Sequence, residues 1–302
     1  MKQRVRDLLD KANLAPSRKA PFLSRRYPWG SGQRMHRALG PELAAPRTWP
    51  AVDTTPAGEL GTIFAKTRGT HKWLHYLPVY ESVIDRSRPI RMLEIGVFHG
   101  GSLHMWRDYL HPRSVIVGID IDPDCKQFDD PENNVHVRIG GQQDDTFLQE
   151  VNAEFGPFDV ILDDGSHMTS HMIESFRSLF ASALAEPGTY IVEDVHSNYW
   201  KSYRDTSMSF VDFIAVLVDA MHAHYLDAPD ELSFRTGHPA RLHEVSVPRI
   251  TPMLSSIEIH DSIVVVRKGS RDLPRSIYQH SHCEGLHSDG QAGLDAENRT
   301  PR

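Results

Sequence analysis

Cysteine is nearly absent: the 302 residues contain only Cys125 and Cys283. Two thiols so far apart build no disulfide framework, and they fit a reducing cytoplasm. Long apolar runs are missing as well, and none approaches the roughly 20 residues of a membrane span. Met1–Pro16 lacks the apolar stretch of roughly 7–15 residues that a secretory signal carries. Positive charge is not in excess. The 33 Lys and Arg against 40 Asp and Glu leave a net charge of −7, which argues against general affinity for nucleic acid. No internal repeat is visible. The dinucleotide fingerprint Gly-x-Gly-x-x-Gly is also missing, which argues against a nicotinamide-dependent oxidoreductase.

What is there is organised around Pro89–Trp106. Ile90, Met92, Leu93 and Ile95 form a short apolar run after a proline, as in a strand buried on both faces of a parallel sheet. Glu94 interrupts the run, and a buried acid there needs a partner. Gly96, Gly100 and Gly101 let the backbone turn sharply near a ligand. Ser102 is placed to cap a helix whose apolar face is Leu103, Trp106 and Leu110. Strand, acid, glycine turn and helix describe the first unit of a doubly wound α/β domain.

Further units follow. Ser114–Asp120 reads as a second strand, and an acid at its end is suited to ribose hydroxyls, with Asp120 the candidate and Asp122 the competitor. Asn134–Ile139 is a third strand, followed by Gln142, placed to read an adenine edge. Phe158–Leu162 is a fourth strand, running into Asp163-Asp164-Gly165-Ser166-His167. Thr189–Val192 is a fifth, ending in Glu193-Asp194. A long apolar helix covers Phe210–Tyr225, and Ser256–His260 with Ser262–Arg267 reads as a closing hairpin. Before the first strand, Glu59–Ile84 has the pattern of helix, loop, helix, with the loop placed to lie over a ligand.

Strands four and five are separated by one helix, so they are expected to be neighbours. Their ends then bring Asp163, Asp164, Glu193 and Asp194 to one sheet edge. Four acids so close raise one another's pKa unless something positive sits between them. Hard oxygen ligands select Mg²⁺, with Asp164, Glu193 and Asp194 as the expected set. Successive strand residues face opposite ways, so Asp163 and Asp164 are not expected to serve together. His167, three residues after Asp164, is placed to take a proton from a hydroxyl near neutral pH. A His167–His171 zinc pair is disfavoured because Met168 stands where His-Glu-x-x-His needs Glu.

Six pieces carry a resemblance: Gly69-Thr-His-Lys-Trp, Leu93-Glu-Ile-Gly with Gly100-Gly-Ser-Leu-x-Met-Trp, Gly118-Ile-Asp-Ile, Gln142-x-Asp144, Ile161-Leu-Asp-Asp-Gly-Ser-His, and Glu193-Asp194. Together they resemble the class I S-adenosylmethionine-dependent methyltransferases, and among them the metal-dependent sugar O-methyltransferases of natural-product pathways. The resemblance implies a Rossmann-like seven-stranded sheet with a C-terminal antiparallel hairpin, and S-adenosylmethionine and Mg²⁺ as cofactors. It implies magnesium on Asp164, Glu193 and Asp194, His167 as base, and a sugar hydroxyl of a glycosylated small molecule as acceptor. The expected cofactor-binding set is Glu94, Gly96, Gly100, Ser102, Asp120, Gln142 and Asp163. His71 and Gly141 depart from the pattern, which has Asp at both places. Antibiotic biosynthesis and a cytoplasmic location follow as expectations. Three other readings stand beside this one: a non-sugar hydroxyl or glycolipid acceptor, a nicotinamide oxidoreductase, and a non-catalytic cofactor-binding module.

Residues 56–269 form the expected methyltransferase domain. Residues 1–55 read as a basic extension with a short amphipathic helix at Val5, Leu8, Leu9 and Ala12. Residues 270–302 read as a disordered tail, polar and turn-rich. The tail's His280, His282, Cys283 and His287 are the poorer candidates for metal. Relatives of this kind carry a larger N-terminal domain that supports an oligomer, so a homo-oligomer stays an open expectation here.

Overall fold

The computed structural model describes residues 31–45 and 47–277. The helix expected around Val5–Ala12 and the tail histidines lie outside them. The described residues divide into two compact units: one holds those up to His224 with Ser246–Asp272, the other Tyr225–Val245 with Leu273–Ile277.

The first unit contains one seven-stranded sheet in the order β3-β2-β1-β4-β5-β7-β6. Its strands are β1 (Arg91–Ile95), β2 (Val115–Asp120), β3 (Val135–Ile139), β4 (Phe158–Asp163), β5 (Leu184–Val192), β6 (Leu254–Ile259) and β7 (Val264–Lys268). The first five are parallel, whereas β7 runs antiparallel to both β5 and β6. This is the doubly wound sheet with a closing hairpin that the sequence predicts. The order reverses at β1, so the β1/β4 crevice is the switch point where such sheets bind ligands.

Alternation along the strands builds a core on each face. Leu93, Ile95, Val117 and Ile161 pack with α5 (Asp145–Phe155), α6 (Thr169–Leu179) and α7 (Phe210–Met221), through Leu148, Met172, Phe176 and Phe213. Met92, Ile116, Val160 and Leu162 pack with α2 (Gly58–Phe64), α3 (Leu77–Val83) and α4 (Gly101–Tyr109), through Leu60, Tyr80 and Trp106. Full burial of such side chains contributes about 1.5–3 kcal/mol each. A capping box starts α7: Ser209 Oγ accepts from the Asp212 N–H, and the Asp212 carboxylate accepts from the Ser209 N–H.

Three elements differ from the sequence reading. A helix, α1 (Ser31–Leu43), lies in the stretch read as a basic extension and bends at Gly40-Pro41. Strand β5 begins five residues earlier than expected, because Glu186-Pro187 hides its first half and the register with β4 shifts there. Ser102 does not cap α4. Gly100, left-handed at φ 70°, takes the N-cap position with no side-chain cap, and Ser102 lies inside the helix.

In the second unit Tyr225 and Phe234 pack edge to face, and Ser276 pairs with the 234–236 backbone. The stretch read as a tail thus begins with an ordered strand-like bridge, Arg235 to Ser276.

Candidate active site

Register places the acids. Asp163 pairs with Ile95 of β1 and Val192 of β5, so Asp163-Asp164 and Glu193-Asp194 emerge side by side at the switch point. The Asp164 N–H donates to the Ile95 carbonyl at 2.9 Å, and the Glu193 N–H to the Asp163 carbonyl at 2.9 Å. Gly96 permits this approach. Its φ is +98°, and a Cβ there would collide with the Asp164 carbonyl oxygen.

Within each pair one acid turns inward. Asp163 is buried and accepts from Ser175 Oγ at 2.6 Å and from Gln142 Nε2 at 3.0 Å. Burial pushes its carboxyl up to about 6. Gln142 is buried too, and its Oε1 accepts from the Ser166 N–H at 2.7 Å. Both ends of the Gln142 amide therefore hold protein groups, which differs from the expected adenine-reading amide. Asp163 likewise braces the β4 end, accepting from the Gly165 N–H as well.

Glu193 is the inward acid of the second pair, and its partner is Lys72. Lys72 Nζ lies 2.5 Å from Asp164 Oδ2, 2.7 Å from Glu193 Oε1 and 3.7 Å from Glu94 Oε1, with its side chain 1% exposed. Burial works against the ammonium, but the charges of Asp164, Glu193 and Glu94 outweigh it and hold its pKa well above the usual value. Burial, then the Asp164 charge, pushes Glu193 up to about 8. Glu94 is fully buried and accepts from Ser102 Oγ at 2.9 Å and Trp106 Nε1 at 3.2 Å. Burial raises it to about 7. Its reach is to Lys72, Ser102 and Trp106, so Glu94 and Ser102 shape the glycine turn from beneath it.

Lys72 is the residue that sequence reasoning missed. The signal was present in the charge balance: four converging acids demand a cation, and the chain supplies one from the loop before β1. That loop rests on α4, where a Cβ on Gly101 would strike Gly69 and Thr70. Tyr76 was missed for a different reason, since its spacing reads as core. Its ring is buried, but its hydroxyl lies 2.9 Å from Asp194 Oδ1 and 3.0 Å from the Ser262 carbonyl.

The outward acids face one another across His167. His167 Nε2 lies 3.6 Å from Asp194 Oδ2 and 3.9 Å from Asp164 Oδ1, and all three side chains are about one-fifth exposed. Together they offer ligand atoms within 4.8 Å of one another. His167 and Asp194 both hold left-handed backbone, at φ 57° and 54°, a conformation that few non-glycine residues adopt, Asp and His more readily than most, and that concentrates at functional sites. His167 Nδ1 is buried without a hydrogen-bond partner. His171 turns away to Ser166 Oγ at 2.8 Å, consistent with rejecting a zinc pair.

On the other side of the glycine turn, Asp120 Oδ2 accepts from the Val97 and Phe98 N–H groups at 2.9 and 3.0 Å, and Oδ1 from the Asp122 N–H at 2.9 Å. The carboxylate thus ties the β2 end to the β1 turn while staying partly exposed at the crevice. Asp122 caps the turn at Pro123–Phe128.

A solved structure shares this fold. The MycE methyltransferase of the mycinamycin biosynthetic pathway, in complex with Mg and SAH, superposes with a TM-score of 0.60 at 25% identity, over 73% of this chain and 57% of that one. This chain has the class I methyltransferase fold. Among curated proteins, the chain is 31% identical over 233 residues to 8-demethyl-8-(2-methoxy-alpha-L-rhamnosyl)-tetracenomycin-C 3'-O-methyltransferase of Streptomyces olivaceus, which is 72% of this chain and 55% of that protein. It is also 31% identical over 244 residues to 8-demethyl-8-alpha-L-rhamnosyl tetracenomycin-C 2'-O-methyltransferase of the same organism, covering 74% and 60%. The chain thus spans little more than half the length of these relatives. No protein-family profile matches it. The resemblance to sugar O-methyltransferases read from the sequence is what these relatives bear out. No helix among the described residues is long and apolar enough to cross a membrane.

Proposed function

We propose that the chain is an S-adenosylmethionine-dependent, magnesium-assisted O-methyltransferase that methylates a sugar hydroxyl of a glycosylated natural product. The observation that carries this reading is the outward group Asp164, His167 and Asp194 beside the glycine turn at the switch point. Its two carboxylates, close together and open to solvent, fit a divalent cation, and the imidazole stands beside them with Nε2 toward both. The relatives' acceptors, named as rhamnosyl tetracenomycins, support a glycoside.

Residues 56–269 are the methyltransferase domain in this reading. The Gly96–Gly100 turn and Asp120 line the cofactor crevice, with Glu94, Ser102, Gln142 and Asp163 shaping it from within. Asp164 and Asp194 hold the cation. Glu193 is their neighbour through Lys72 rather than an open ligand. When bound, the cation supplies Lewis-acid polarisation of the acceptor oxygen. Transfer of a methyl group to a hydroxyl oxygen forms a C–O bond, breaks a C–S bond and releases one proton. His167 Nε2 is the atom placed to take that proton. The acceptor is a small glycoside rather than nucleic acid, and the setting is the cytoplasm.

Calorimetric titration of S-adenosylmethionine and of Mg²⁺ into wild type and Asp164→Ala tests the reading. The expected result is cofactor binding in both proteins and magnesium binding in wild type alone. A folded wild-type protein that does not bind S-adenosylmethionine would overturn it.

A further inference from the structure

The acids open toward an aromatic surface that core packing does not explain. Trp73 and Trp200 are each 47% exposed. They come from separate parts of the chain: Trp73 precedes the Leu74–Tyr76 turn, and Trp200 follows the Val195–Tyr199 turn after β5. Both meet the same residue edge-on. The His196 ring lies 5.5 Å from Trp73 at 79° and 4.6 Å from Trp200 at 73°. His196 is fixed by a hydrogen bond between Nδ1 and Ser262 Oγ, and Nδ1 lies 3.9 Å from Asp194 Oδ1. From Trp200 the series continues to Tyr203 at 6.1 Å, and from Tyr203 to His167 at 6.3 Å. A wall of rings therefore runs from the loop before β1 to the proton-accepting histidine.

Backbone direction fixes this wall. Lys72 points inward to the three acids, and Trp73, the next residue, points out. The ion pairs that anchor Lys72 also set where Trp73 stands. An exposed indole offers a flat, polarisable face with a negative quadrupole, which suits the C–H face of a pyranose or an aromatic aglycone ring. Two such faces beside Asp164, His167 and Asp194 lie where an acceptor's ring must rest when its hydroxyl reaches His167.

We propose that Trp73 and Trp200, joined through His196, form the acceptor platform, which stacks on the ring face of a glycoside and places its hydroxyl at His167. The proposal rests on the methyltransferase reading and deepens it.

Saturation-transfer difference NMR tests it with two probes, methyl α-L-rhamnopyranoside and para-nitrophenyl α-L-rhamnopyranoside. The proteins are wild type, Trp73→Ala, Trp200→Ala and Trp200→Phe, each also titrated with S-adenosylmethionine. Wild type is expected to saturate glycoside protons, at the sugar if the pyranose stacks and at the nitrophenyl ring if the aglycone does. Each alanine variant loses most of that signal, Trp200→Phe recovers it, and cofactor affinity stays unchanged. In a methyl-transfer assay KM rises about tenfold in the alanine variants while kcat stays within about twofold, as for loss of one stacking contact. Glycoside signal and KM unchanged in both alanine variants would overturn the platform, as would no signal from either probe in a wild type that binds the cofactor. Tryptophan-dependent glycoside signal in a protein that does not bind S-adenosylmethionine would keep the platform and remove the methyltransferase reading.

Discussion

The acidic pairs at the ends of β4 and β5 begin alike and are used differently. Each sends one carboxylate inward, Asp163 and Glu193, and leaves one partly exposed just past the strand end, Asp164 and Asp194. The inward Asp163 is satisfied by neutral donors, Ser175 and Gln142. The inward Glu193 is satisfied by an ammonium, Lys72. The first arrangement braces one loop against the sheet. The second ties a distant segment, 92 residues before Asp164, to the same edge. Neutral donors hold a local turn, and charge recruits a remote one. The outward acids each lend one oxygen to this frame, Asp164 to Lys72 and Asp194 to the Tyr76 hydroxyl, but face His167 with the other and keep partial solvent access.

The contrast can be broken most sharply at its outward end. His167→Ala is expected to lower kcat by about 10²–10⁴, the range for a positioned base, while its melting temperature stays near wild type. Steady-state kinetics and a thermal unfolding scan of the variant would check both. The inward end should answer in stability instead. Lys72→Met removes the shared partner of three acids and is expected to destabilise the fold by about 3 kcal/mol, read from urea unfolding. Adding Glu193→Gln to it should recover part of that loss.

Metal affinity separates the two members of one pair. Asp194→Asn is expected to weaken Mn²⁺ binding by at least about tenfold, whereas Glu193→Gln changes it by less than about threefold. Equal losses would mean that the cation displaces Lys72 and takes Glu193 as well. The smallest effect is in pH. Glu193 is raised from 4.5 to about 8 and Glu94 from 4.5 to about 7. The folded chain therefore keeps protons that the unfolded chain has lost, so this stabilisation is present at lower pH and fades as pH rises through those values. The metal-free melting temperature should fall by roughly a few degrees from pH about 6 to about 8. Glu193→Gln should flatten that slope.

Much of this was legible in the sequence. Short apolar runs bounded by Gly and Pro gave β1 to β4 within a residue or so, and the acids after β4 and β5 named the edge. The direction of each carboxylate was legible only as a rule, since register decides which member turns in. Ser102 misled because serine before an apolar run reads as a cap, yet the glycine two residues earlier adopts the left-handed turn and takes that place. The burial of Gln142 was not legible, because its partners Asp163 and the Ser166 N–H lie over 20 residues away in sequence. Lys72 escaped because its partners are distant in sequence, so periodicity carried no trace of them.

The turn between β6 and β7 gathers contacts from all around the site. The Asp261 carbonyl holds His75, the Ser262 carbonyl holds Tyr76 and the Val195 N–H, and Ser262 Oγ holds His196. These partners are all translated earlier, so on the ribosome the parallel strands can pair before the pieces that fasten the site have emerged. A nascent chain stalled before Asp261 would hold its glycine turn and its acids at the sheet edge with no clasp on His75, Tyr76 or His196. The five parallel strands thus precede in the chain the residues that clasp the site, and β7 completes the sheet only after them.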